Sequence, residues 1–177
     1  MIATLNLLAL LALVSVCYQD MRYRGVYWIF FPVLSALFFF LKFKQVGWVN
    51  TLQDAGYAIT FLVVQLLLVW LYFSAKHQKL FNIVDSYLGL GDILFLVTLA
   101  FYLSPLNYVA FYLLSLILVL VYVLVTKRIK GLDHIHIPLA GLQAAFFATL
   151  LVWDLVQPQL QLCQDSWIYK TYLFNGI

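Results

Sequence analysis

The sequence predicts an all-α, polytopic membrane protein with about six transmembrane helices and both termini outside the cytoplasm. Three observations carry that expectation. Of the 177 residues, 66% are hydrophobic and 10% are charged, against about 45–50% apolar and about 25% charged in a soluble domain. The apolar residues fall in long runs, and a span needs roughly 17–25 of them. All seven acids are aspartate and glutamate is absent, although glutamate is among the commonest good helix formers on water-facing surfaces. At this length residues 1–177 form a single domain. The net charge of +3 is dispersed along the chain, which argues against a nucleic-acid partner.

The spans follow in order. The first run covers about 2–18; no Lys or Arg precedes it and no small-x-small cleavage site follows, so it reads as a retained helix and not a signal peptide. The second covers about 27–41 and the third about 55–74. The fourth starts at Asp92 and stops near Leu103, where Ser104-Pro105-Leu106-Asn107 reads as a turn. It is short for a full span. The fifth covers about 108–126, and the sixth about 138–156, with Pro138 suited to a first helical turn. Residues 157–177 read as an interfacial tail, with Trp167, Tyr169 and Tyr172 at headgroup level. The stretch Phe38-Phe39-Phe40 reads as lipid-facing or packing surface, and Asp154 falls near the outer end of the sixth helix.

Orientation follows from the basic residues. Arg22, Arg24, Lys76, Lys79, Lys127, Arg128 and Lys130 fall in alternate loops on one side; Lys42, Lys44 and Lys170 fall on the other. The richer side is expected in the cytoplasm. Arg22 and Arg24 then read as topology anchors and lipid-headgroup contacts, with a secondary role in orienting the loop that holds Asp20.

Gly89-Leu90-Gly91-Asp92 is the most informative stretch. An ionisable residue at the mouth of a membrane helix is costly and marks a functional candidate. Gly89 and Gly91 leave bare backbone that another chain can approach. A second acid, Asp20, ends the first apolar run. Two helices separate Asp20 from Asp92, so both emerge on the cytoplasmic face. Two carboxylates that share a water cannot easily both ionise. One then takes a proton from water while the other protonates a scissile carbonyl, as in aspartic proteases.

These residues also carry a resemblance. Gly89-Leu90-Gly91-Asp92 matches the GxGD motif of membrane aspartic proteases. Asp20-Met21-Arg22-Tyr23-Arg24-Gly25-Val26 resembles the Asp-x-Arg-x-Arg-x-Ile stretch of type IV prepilin peptidases, and Ile137-Pro138-Leu139-Ala140-Gly141 is similar to the Ile-Pro start of that family's last helix. The resemblance implies a peptidase of a bacterial or archaeal cell membrane, cutting on the cytoplasmic face after a glycine. Its substrates would be type IV prepilins or pseudopilins bearing a short basic leader. Asp20 and Asp92 would be the catalytic pair, with no cofactor and no metal, and Gly89 and Gly91 would shape the approach to Asp92. The chain lacks the Cys-x-x-Cys domain of larger bifunctional members, which implies peptidase activity without methyl transfer. It departs from frequent family residues at Tyr27-Trp28, where Pro-Asn is common, and at Leu94, where Lys is common. Presenilin-like relatives pair GxGD with Tyr-Asp and Pro-Ala-Leu motifs; here Gln19 precedes Asp20 and no Pro-Ala-Leu occurs.

Blander readings stand beside these. Asp92 at a helix start is favoured by capping and by the helix dipole, and either aspartate could pair with Arg22 or Arg24. Asp133-His134-Ile135-His136 invites a metal, but Lys127, Arg128 and Lys130 nearby would repel one. Asp85 and Asp133 could form a negative rim for a basic leader. Cys17 and Cys163 share no redox or metal spacing. A non-enzymatic membrane assembly factor is the alternative, and a transporter is disfavoured by the scarcity of midplane polar residues.

Overall fold

The computed structural model describes residues 2–77, 89–130, 138–157 and 161–165. Among them six helices follow one another and no strand occurs: α1 Ile2–Tyr23, α2 Phe30–Val46, α3 Trp48–His77, α4 Leu90–Ala100, α5 Pro105–Lys130 and α6 Leu139–Val156. Four of these, α1, α3, α5 and α6, are long and apolar enough to cross a membrane. The 17 residues of α2 and 11 of α4 are shorter, about 25 Å and about 16 Å at 1.5 Å per residue. Asp85, Lys79, Asp133, His134, His136, Lys130's side chain, Trp167, Tyr169, Lys170 and Tyr172 lie outside the described residues.

The helices alternate in direction, so the bundle has two ends. The last turn of α1 and the starts of α4 and α6 meet at one end. The last turn of α2, the start of α3 and the corner after α4 meet at the other. The buried residues of α1, Asn6, Ala9, Leu13, Val16 and Asp20, recur every three or four positions and form one stripe. That stripe meets Ala140, Gly141, Ala144, Phe147 and Leu151 of α6, the most extensive helix–helix interface in the molecule. Small residues there let the two backbones approach, as they do in membrane helix pairs. The opposite face of α1, with Leu7, Leu8, Leu11 and Val14, is equally apolar but exposed.

Buried α4 positions Phe95, Leu96, Thr98, Leu99 and Ala100 point in several directions, because α2, α3, α5 and α6 all pack on this helix. An aromatic cluster closes the centre: Phe38 lies 5.2 Å from Tyr102 and 5.5 Å from Phe147, ring centre to ring centre, and Phe111 lies 5.6 Å from Phe147. Of the three consecutive phenylalanines, Phe38 is core, Phe39 packs edge-on against Trp48, and Phe40 is exposed. Thr98 joins α4 to α2 by donating to the Phe31 carbonyl at 3.3 Å.

α1, α3 and α5 overrun the boundaries the apolar runs suggest and α2 ends later than expected, which changes where several charges sit. Asp20, expected in a loop, is in the last helical turn of α1. A single residue, Gly47, separates α2 from α3; its φ of +84° is left-handed backbone that favours glycine. Lys42, expected on the outer surface, is instead fully buried. Its Nζ donates to the Leu103 carbonyl at 2.7 Å and pairs with Asp54 at 2.8 Å. A buried ammonium persists only when paired and hydrogen-bonded, and here one side chain ties α2 to α3 and to the corner after α4.

Residues 161–165, in the tail, pack against the same end of the bundle. Leu162 and Cys163 are buried, and burial pushes the Cys163 thiol up to about 12, leaving it an inert packing group. Asn107 Nδ2 donates to the carbonyls of Leu162 and Gln164, each at 3.2 Å. Asp154 accepts the backbone N–H groups of Gln161 and Leu162. Removing the central tie tests this end directly. Lys42→Ala should lower stability by roughly 3 kcal/mol, since it strands a carboxylate and a buried carbonyl. Lys44→Ala, at an exposed position, should stay within about 0.5 kcal/mol. Equilibrium unfolding in detergent reads both.

Candidate active site

The first N–H groups of a helix have no acceptor within it. In α6 the chain turns in through Pro138, just before the first helical residue, with backbone φ −76° and ψ 78°. Two consecutive amides in the first turn, Ala140 and Gly141, therefore need partners from elsewhere. They find the two sequence-predicted carboxylates. Gly141 N–H donates to Asp20 Oδ2 at 2.6 Å, and Ala140 N–H donates to Asp92 Oδ1 at 2.8 Å. Adjacent amide nitrogens are so close that these two carboxylate oxygens can be no more than about 10 Å apart. The two groups interact electrostatically, and the positive end of the α6 dipole faces both.

Each aspartate is delivered by its own helix. Asp20 sits in the last turn of α1 and is 8% exposed. That turn ends at Arg24, whose φ of 55° is left-handed and whose N–H donates to the Asp20 carbonyl at 3.0 Å, a common way to stop a helix. Gln19 Oε1 accepts the Tyr27 N–H at 3.1 Å and folds the following loop back. Asp92 is the third residue of α4, and its Oδ2 accepts the Gly89 N–H at 3.2 Å, half of a capping box. Glycine supplies no side chain to complete the other half. Asp92 thus receives two backbone donors and Asp20 one.

The other predicted residues fall around this pair unevenly. Arg22 and Arg24 are exposed at the same end, and neither forms an ion pair with Asp20 or Asp92. A Cβ on Gly89 would come within 3.1 Å of Asp92 Oδ2, whereas one on Gly91 would meet only Phe31 Cζ, at an ordinary 3.8 Å. Tyr23 at the end of α1, and Tyr27 and Trp28 on the adjoining loop, are exposed, in keeping with aromatic side chains at a membrane–water boundary. Among the described residues no group of three or more His, Cys, Asp and Glu could hold a metal ion; Asp133, His134 and His136 lie outside them.

Sequence reasoning picked Pro138 from the start of α6 but missed Ala140 and Gly141, whose contribution is backbone. One signal was present: Ala140 and Ala144, with Gly141 between, form the small-residue spacing that lets membrane helices pack closely.

Comparison of the chain with models of known protein families, with curated proteins and with solved structures finds no match.

Two carboxylates that meet at one helix start and interact electrostatically favour states in which only one of them is ionised. The Gly89 contact gives a local test of this arrangement. Gly89→Ala keeps an allowed backbone (φ −69°, ψ 139°) but crowds Asp92 Oδ2. It should cost about 1 kcal/mol of stability, the worth of one such hydrogen bond, measured by unfolding. Gly91→Ala should cost less than half of that.

Proposed function

We propose that this protein is a membrane aspartic endopeptidase. It removes the short basic leader of type IV prepilin-like or pseudopilin substrates, at the cytoplasmic face of a bacterial or archaeal cell membrane. One observation carries the reading: the aspartates of the Asp-x-Arg-x-Arg and GxGD stretches, far apart in sequence, accept hydrogen bonds from adjacent amides at the start of the Ile-Pro helix.

In this reading a water lies between the two carboxylates. The ionised one takes its proton as the oxygen attacks the scissile carbonyl, and the protonated one donates to the carbonyl oxygen. Backbone amides hold both side chains in place, so little reorganisation is needed when the substrate arrives. The leader junction must be extended to expose its bond, and the bare backbone at Gly89 and Gly91 leaves room for it.

The charge distribution supports the orientation. Arg22, Arg24, Lys76, Lys127 and Arg128 are exposed at the aspartate end. At the opposite end Lys42 is neutralised in a buried pair, which leaves Lys44 as the exposed cation among the described residues there. The bias is therefore steeper than a count of sequence charges gives, and it favours the aspartate end as cytoplasmic. In this reading both termini lie outside the cytoplasm. Exposed arginines beside exposed aromatics would contact anionic lipid headgroups.

A non-enzymatic assembly factor remains the second reading, because hydrogen bonds to a helix start are also what a purely structural cap would make. Isosteric variants separate the two, since asparagine keeps an oxygen that can accept the same N–H. Cleavage of a co-expressed leader-bearing pilin-like protein should fall by about a thousandfold or more in Asp20→Asn and in Asp92→Asn, with each variant accumulating normally. Full activity in either variant, or no cleavage by the wild type on any such substrate, would favour the structural role.

A further inference from the structure

Gly141 stands out from the other described glycines. Its backbone is helical, so unlike Gly47 it is not required by a left-handed φ. Alanine would be the better helix former at this position, so something other than local conformation must account for glycine. The surroundings supply it. A Cβ at residue 141 would lie 3.0 Å from Asp20 Cβ, 3.1 Å from Asp20 Oδ2 and 3.3 Å from the Cys17 carbonyl oxygen. Two of those atoms belong to the stem and backbone of α1, not to the free end of a side chain. Neither can yield without moving the last turn of α1, which is held by the most extensive interface in the molecule. A Cβ at Gly25 or Gly56, by contrast, would meet nothing within 4 Å.

We propose that Gly141 is a positioning residue for Asp20. Its N–H holds the Asp20 carboxylate, and its missing side chain lets α1 come close enough for that bond to form. The inference rests on the two-aspartate reading above. Gly141 acts through Asp20 and does not itself touch substrate. Its neighbour Ala140 holds Asp92, so the spacing of the pair is set by two consecutive residues of one rigid helix. A Cβ at 141 pushes Asp20 outward while Asp92 stays, and the two carboxylates no longer reach one water. A displacement of this size at a reacting centre can lower a rate by about a hundredfold.

The experiment uses the full chain in lipid nanodiscs with a leader-bearing pilin-like peptide. Gly141→Ala should lower kcat per folded molecule by about 10- to 100-fold with KM within about twofold of wild type, with a lowered unfolding midpoint because the new Cβ crowds α1. Gly56→Ala should match wild type in kcat and KM. A purely structural role for Gly141 would move the unfolding midpoint and leave kcat per folded molecule alone. A second variant removes the donor without adding bulk: glycolic acid at position 141, introduced by nonsense suppression, replaces the amide by an ester. It should lower kcat in the same direction, and it decides the matter if Gly141→Ala does not accumulate. Wild-type kcat in folded Gly141→Ala, or in the ester, overturns the inference while leaving the aspartate pair standing. A wild type that cleaves nothing, with Asp20→Asn indistinguishable from it, overturns the two-aspartate reading and this inference together.

Discussion

A helix that starts inside a bundle must find acceptors for its first N–H groups, and in this protein α6 finds them in two carboxylates. The need is strict because Ala140 and Gly141 are buried, and a buried donor left unpaired is costly. Ala140 and Gly141 present adjacent donors, and Asp20 and Asp92 fill them. Much of the surrounding architecture follows from that pairing. The α1 stripe runs from Asn6 to Asp20 along α6, so the packing that buries Leu13 and Val16 also delivers Asp20. The short α4 sits centrally, so its first turn reaches the same point. The same bonds that satisfy the helix bring the two carboxylates to one helix start, where they interact electrostatically.

The opposite end of the bundle solves a related problem with the opposite charge. Lys42 enters a fully buried position and neutralises Asp54 while satisfying the Leu103 carbonyl. Asn107 and Ser104 then fasten residues 161–165 over that end, with Ser104 donating to Asp165 and Asn107 to the carbonyls of Leu162 and Gln164. Such a tie fixes α2, α3 and the corner after α4 relative to one another. It thereby sets the depth at which α4 begins, and so the position of Asp92. The two polar ends are separated by the aromatic cluster of Phe38, Tyr102, Phe111 and Phe147, which contributes packing and no chemistry.

Helix number and the candidate aspartates were legible in the sequence because both are written in residue type: apolar runs, and rare charges at their ends. Which face of each helix packs inward was not. In α1 the exposed Leu7, Leu11 and Val14 are as apolar as the buried Ala9, Leu13 and Val16, so the periodicity that marks an inner face in water is absent where lipid covers the outer one. Lys42 misled for a similar reason. A lysine near the end of an apolar run normally reaches for the interface, and only a partner on another helix, Asp54, turns it inward. Ala140 and Gly141 were hidden for a different reason: their contribution is a backbone N–H, and in the case of Gly141 an absent side chain. Residue chemistry points to the acids of a site far better than to the amides that hold them.

The aspartate–amide contacts at the start of α6 are open to direct measurement. Solid-state NMR of the protein in lipid bilayers, with carbon-13 in the aspartate carboxyls and nitrogen-15 at Ala140 and Gly141, measures those distances without substrate. Asp20 Cγ should lie within about 4 Å of the Gly141 nitrogen, and Asp92 Cγ within about 4 Å of the Ala140 nitrogen, as hydrogen bonding requires. Either distance beyond about 6 Å, outside any hydrogen bond, would contradict this arrangement.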